Sequence, residues 1–158
     1  MAAIQRSSNV VWEGTIARGA GQLSAHSGAF SALPVTVASR FGEPEGKTSP
    51  EELIAAAHAT CFSMALGLIL AGEHTPPERL AVDAVITLEE ADGSYTITSS
   101  ELEVVGRVAG IDQAAFERAQ EAEQTCPVSR ALAGSVEIRT HTLLEAPSES
   151  LETADRAG

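Results

Sequence analysis

Apolar and polar residues change period several times along the chain, and each change predicts an element. Short apolar runs broken by glycine fill the first forty residues: Val10-Val11-Trp12 leading to Thr15-Ile16, a turn at Gly19 to Gly21, a return over Gln22 to Ala25, and a third run over Leu33 to Val37. They predict three strands, with Pro34 placing the third at a sheet edge, because proline donates no ladder hydrogen bond. Gly42, Pro44 and Gly46 mark Phe41 to Ser49 as a loop. A helix start follows. Ser49 suits the N-cap, Pro50 the first helical position, and Glu52 completes a Ser-x-x-Glu capping box. This helix should run to about Leu70 and stop near Gly72, before Pro76-Pro77.

A period of two takes over at Leu80, Val82, Ala84, Ile86 and Leu88. Asp92-Gly93 supplies a hairpin signal before Tyr95 to Ser100, and Leu102, Val104 and Val108 keep the alternation. An amphipathic helix is expected from Asp112 to about Gln124, with Phe116, Ala119 and Ala122 on one face. Cys126-Pro127 opens a further helical turn, and Val136, Ile138 and Leu144 mark a last strand. Strands, a core helix, more strands, a second helix and a final strand make an α+β domain over residues 1–145, followed by a polar tail over residues 146–158. An apolar helix must be covered on every side, which short strands in one chain do poorly, so a homodimer is expected.

Composition narrows the class. A hydrophobic fraction of 44% in 158 residues is enough to build a core. The 22 acidic and 10 basic residues give a formal charge of −12, which repels phosphate backbones and anionic lipid headgroups and disfavours nucleic-acid binding. Leu53 to Gly72 contains no Asp, Glu, Lys or Arg and has the length of a membrane span. Its Ala-rich make-up, His58, Thr60 and Ser63, and its acidic flanks at Glu51, Glu52 and Glu73 favour a buried core helix instead. The N-terminus, Met-Ala-Ala-Ile-Gln-Arg, lacks the apolar core of a signal peptide. A cytoplasmic setting is therefore expected, where thiols stay reduced and two cysteines are core residues, metal ligands or redox centres.

Those two are Cys61 and Cys126. Cys61 lies mid-helix, where a small hydrophobe is the simpler reading. Cys126 sits at a helix N-cap, where free amides favour thiolate. Peroxide chemistry needs a thiolate to attack, a cation to keep it ionised and a second thiol to rescue the sulfenic acid. With an ordinary pKa near 8.5, only about 3% of a thiol is ionised at pH 7. Arg18, Arg40 and Lys47 are the candidate cations, and Arg40 is favoured because it precedes the loop entering the Cys61 helix. Glu51 lies ten residues before Cys61, about 15 Å along a straight helix, so a bridging group such as Arg40 is needed between them. A surface ion pair is the competing reading of Arg40 and Glu51. His58 shares a helix face with Cys61. It reads as a packed or hydrogen-bonding histidine, since His26, His74 and His141 show no ligand spacing with it.

Ser39-Arg40-Phe41, the run Thr48-Ser49-Pro50-Glu51-Glu52-Leu53 through His58-Ala59-Thr60-Cys61-Phe62-Ser63-Met64, and Thr125-Cys126-Pro127-Val128-Ser129 together resemble the OsmC/Ohr family of osmotically induced and organic hydroperoxide resistance proteins, and Trp12-Glu13-Gly14 resembles its opening strand. Arg40, just before the central loop, fits the OsmC branch better than Arg18-Gly19 fits the Ohr branch. The resemblance implies antiparallel sheets wrapped around central helices in an intertwined homodimer, with active sites at the subunit interface. It implies Cys61 as peroxidatic cysteine, Cys126 as resolving cysteine, and Arg40 with Glu51 as the pair that positions and ionises Cys61. Organic hydroperoxides are the implied substrates and dihydrolipoyl-type dithiols the implied reductants, with no metal or haem cofactor. Phe41, Phe62 and Met64 are candidates for an alkyl-binding pocket, although Phe62 and Met64 also read as core. Two other classes compete: a cysteine hydrolase with His58 as base, and a non-catalytic dimer that senses oxidants or binds a small apolar ligand.

Overall fold

The computed structural model describes residues 3–146, so nearly all of the polar tail read from the sequence lies outside the described residues. The chain divides into two compact units, residues 1–54 and 55–158. In the first, β1 (Ser8–Glu13), β2 (Ala20–Ala25) and β3 (Leu33–Val35) form an antiparallel sheet in that order, with Pro34 on edge strand β3 as its missing amide requires. Thr15 and Ile16 do not extend β1; they form the turn whose Thr15 carbonyl accepts from the Arg18 and Gly19 amides.

Val37 belongs to no strand. Val37–Phe41 is a short helix, α1, and its cap explains why. The Thr36 hydroxyl accepts from the Ser39 amide at 3.0 Å while the Ser39 hydroxyl accepts from the Thr36 amide at 3.0 Å, a reciprocal box built with serine in place of the usual Glu or Gln. The long helix α2, Pro50–Gly72, begins where the sequence says. Its box is half formed, with the Glu52 amide donating to Ser49 Oγ at 3.1 Å while the Glu52 carboxylate accepts from Thr48 Oγ1 at 2.7 Å.

In the second unit, β4 (Arg79–Ala91) and β5 (Ser94–Arg107) make one long antiparallel hairpin around Asp92-Gly93. Both turn residues have positive φ, 54° and 75°, the conformation that Asp-Gly tolerates best. β6 (Glu137–Glu145) pairs with β5 in parallel, so the expectation of purely antiparallel sheets is corrected here. The cause is the connection. Helical segments between β5 and β6 form a crossover, and a crossover returns the chain in the same direction. The single amphipathic helix expected over 112–124 is also divided, into α3 (Gln113–Glu117), a 3-10 turn (Arg118–Glu121) and α4 (Ala122–Thr125). α5, Pro127–Leu132, follows.

Phe62, Ala65, Leu66 and Leu70 of α2, Leu102 and Val104 of β5, and Phe116, Ala122 and Cys126 from the crossover make up the core of this unit. Buried α2 positions recur at helical spacing from His58 through Phe62 and Leu66 to Leu70. α2 is also long and apolar enough to cross a membrane by length and composition. Its other stripe is exposed: Met64 is 65% and Leu68 75% accessible.

Candidate active site

Within the first unit, α1 and the first turn of α2 bring Arg40 and Glu51 together. Arg40 Nη2 and Nε donate to Glu51 Oε1 at 2.6 and 3.1 Å, and Nε also reaches Oε2 at 3.2 Å. This is the two-point fork that suits a guanidinium and a carboxylate. The Glu51 side chain is only 11% exposed. Hydrogen bonding to Glu51 pushes the Arg40 pKa above its already high ordinary value, so the cation is fixed. The guanidinium also lies 5.3 Å from the centroid of the half-exposed Phe41 ring. Lys47, the other candidate in this loop, pairs with Glu45 at 3.3 Å.

Within the second unit, Cys61 and Cys126, 65 positions apart, come together: Cys126 lies in the core and Cys61 packs against it, and each shifts the other's acidity. Cys126 ends α4 and caps α5. Pro127 disfavours a helical backbone at the residue before it, and Cys126 is accordingly extended, at φ −74° and ψ 114°, with its sulfur accepting from the Ser129 amide at 3.4 Å. Both thiols are free cysteines, Cys61 half-buried and Cys126 fully buried.

The two sulfurs are unlike in acidity. Burial pushes the Cys61 thiol up, and the neighbouring Cys126 pushes it further, against the Val128 amide. Burial also acts to raise Cys126, but hydrogen bonds from Cys61, from the Ser129 side chain and from the Ser129 and Val128 amides outweigh it and bring Cys126 below the usual thiol value.

His58 is fully buried and hydrogen-bonded, Nδ1 to Ser100 Oγ at 2.7 Å and Nε2 to Ser129 Oγ at 2.8 Å. With both ring nitrogens occupied by serines, it does not form a Cys–His pair with Cys61, which removes the geometric basis of the hydrolase reading. Burial lowers the imidazole pKa, opposed by the charge of Glu123, so the ring is held neutral. Ser100 and Ser129 escaped sequence reasoning: single serines carry no spacing signal, although Ser129 lies in the quoted Thr-Cys-Pro-Val-Ser motif. Phe62 lies in the core and Met64 is exposed. Among the described residues no three His, Cys, Asp or Glu side chains gather where they could hold a metal ion.

Residues 42–141 match the family described as OsmC-like protein. Over 136 residues, 85% of this chain and 94% of the relative, the sequence is 39% identical to the peroxiredoxin OsmC of Escherichia coli (strain K12). The chain belongs to the OsmC family. It is also 31% identical over 96 residues to the organic hydroperoxide resistance protein OhrA of Bacillus subtilis (strain 168), covering 60% of this chain and 66% of that one. Among solved structures, an organic hydroperoxide resistance protein OsmC from Legionella pneumophila superposes with a TM-score of 0.68 at 21% identity, covering 90% of this chain and 98% of that chain. OhrB of Bacillus subtilis gives 0.64 at 22% identity, with 87% and 98% covered. The fold is thus the α+β fold of OsmC and Ohr proteins.

Proposed function

We propose that this member of the OsmC family is a thiol-dependent peroxidase that reduces organic hydroperoxides to alcohols in oxidative or osmotic stress defence. The observation that carries the reading is that Cys126 lies in the core cluster against which Cys61 packs, so that the two thiols, 65 positions apart in sequence, meet in one unit and each shifts the other's acidity. Ionised Cys61 attacks the terminal peroxide oxygen; the O–O bond breaks, the alcohol leaves, and Cys61 becomes a sulfenic acid. Cys126 then attacks the Cys61 sulfur, an S–S bond forms, and water departs. An external dithiol, of the dihydrolipoyl kind, reduces the disulfide and is itself oxidised; no bound cofactor takes part. Arg40, locked by Glu51, is the cation assigned to Cys61 by the family pattern, with Phe41, Phe62 and Met64 as the apolar residues beside these motifs.

We take the working form to be a cytoplasmic homodimer with its active sites at the interface. Its support is the exposed stripe of α2, where Met64 and Leu68 leave apolar surface that a second copy would cover. Steady-state reduction of cumene hydroperoxide against hydrogen peroxide, with monothiol and dithiol donors compared, tests the scheme. It requires faster turnover with the organic peroxide and the dithiol, and none in Cys61→Ser. Wild-type consumption by Cys61→Ser would end it. A sensing role without turnover would instead show one round of reversible oxidation under excess dithiol.

A further inference from the structure

His58 is fully buried on α2, and both of its ring nitrogens are taken up by serines from other elements. Nδ1 lies 2.7 Å from Ser100 Oγ, and Nε2 lies 2.8 Å from Ser129 Oγ. Both serines are buried as well. A neutral imidazole donates through one nitrogen and accepts through the other, and a hydroxyl can do either, so both bonds form in either tautomer. The core of this unit is otherwise apolar. A buried polar cluster there adds little stability over an apolar filling, but once fully paired it fixes one arrangement of the elements it joins.

The cluster joins the same two turns that bear the cysteines. His58 precedes Cys61 by three residues on α2, so the two side chains leave neighbouring positions of one helix face. Ser129 follows Cys126 by three residues on α5, where Cys126 is the N-cap and its sulfur accepts from the Ser129 amide at 3.4 Å. Sulfur is a weak acceptor, and a helix of six residues is too short to hold its own first turn. The Ser129 hydroxyl, tied to His58, fixes that turn against α2 close to Cys61. Ser100 fixes the other side of the ring. It lies on the central strand β5, paired with Ile86 of β4 and Ile138 of β6.

We propose that His58 is a positioning residue for closure of the Cys61–Cys126 disulfide: clamped between Ser100 and Ser129, it holds the Cys126 turn of α5 toward the Cys61 turn of α2 and raises the effective concentration of one sulfur at the other. The chemical use of this clamp rests on the peroxidase reading. Once a hydroperoxide has oxidised Cys61 to a sulfenic acid, the Cys126 sulfur attacks the Cys61 sulfur. The S–S bond forms as the S–O bond breaks, and the oxygen leaves as water with the proton of the Cys126 thiol. A second hydroperoxide competes for the same sulfenic acid, converting it to a sulfinic acid and releasing a second alcohol. A Cys126 turn held in place favours the disulfide. A loose one favours over-oxidation.

The experiment separates the two steps. Reduced protein is mixed with one equivalent of cumene hydroperoxide; loss of peroxide reports oxidation of Cys61, and peptide mass spectrometry after quenching by alkylation reports the disulfide. Ser129→Ala removes one end of the clamp and should slow disulfide formation about tenfold relative to peroxide loss, as loss of one buried hydrogen bond implies. Dimedone should trap the Cys61 sulfenic acid in the interval, and Ser129→Thr, which keeps the hydroxyl, should restore the wild-type rate. Thermal melts establish folding, and if Ser129→Ala does not fold, Ser100→Ala, which cuts the other end, decides by the same measurements. Disulfide formation at the wild-type rate, or equal slowing of both steps, overturns the proposal. A second arm needs no peroxide. The disulfide is equilibrated against oxidised and reduced dithiothreitol, and Ser129→Ala should shift the equilibrium about tenfold toward the thiols. An unshifted equilibrium also overturns the proposal. If wild-type protein leaves cumene hydroperoxide unconsumed while that shift is present, the peroxidase reading falls and the clamp stands.

Discussion

Gly106 offers the sharpest test of how the Cys126 segment is held. It sits on β5, buried and facing the core. A Cβ there would lie 2.6 Å from Cε2 and 3.1 Å from Cε1 of Phe116, and closer still to Cζ. Phe116 is fully buried, so its ring cannot swing into solvent. Gly106→Ala must therefore displace the ring or bend β5, an overpacking that costs about 1–3 kcal/mol. For a chain of this length that lowers the melting temperature by about 2–12 °C. The assay is thermal unfolding of the reduced protein by circular dichroism, as a double-mutant cycle with Phe116→Leu. The smaller side chain removes the obstructing ring, so the double variant should be more stable than the sum of the singles by at least about 0.5 kcal/mol. Phe116 and Cys126 share one core, so Gly106→Ala should also slow disulfide formation. A wild-type melt for Gly106→Ala, or strict additivity with Phe116→Leu, would refute this packing argument.

Other perturbations probe separate parts. Ser49→Ala removes the acceptor of the Glu52 amide at the start of α2 and should cost about 1 kcal/mol, whereas Ser49→Asp should not, as melting curves will show. Arg40→Met strands the nearly buried Glu51 carboxylate and should cost about 1–3 kcal/mol by denaturant titration; adding Glu51→Gln should return part of that loss. Burial keeps the His58 pKa below the ordinary 6.5. As the pH falls through that value, the unfolded chain takes up a proton that the folded chain refuses, so stability falls with pH there. The slope is at most about 1.4 kcal/mol per pH unit, and His58→Gln should remove it from the pH series.

Much of the fold can be read locally because capping and turn chemistry act over three or four residues. Ser49-Pro50 located α2 and Asp92-Gly93 the hairpin, since each motif satisfies its own backbone groups. α1 was hidden because Thr36 and Ser39 cap it without the Glu or Gln that advertises such a box. The parallel pairing of β6 was legible in principle, as helices between strands imply a crossover, but the direction of a last strand is set by that connection and not by its own residues. Nothing in the sequence marks the 3-10 turn at Arg118–Glu121. At the site, the motif residues Arg40, Glu51, Cys61 and Cys126 stood out by type. What the pattern could not show is that His58 is held between Ser100 and Ser129, because those contacts form only when β5 and α5 pack against α2.

The account stands on Cys61 and Cys126 acting as one redox pair. Fully reduced protein treated with one equivalent of cumene hydroperoxide, quenched by alkylation and mapped by peptide mass spectrometry without reductant, should yield a Cys61–Cys126 disulfide and one equivalent of alcohol. Peroxide consumed while both cysteines are recovered as alkylated thiols would contradict it.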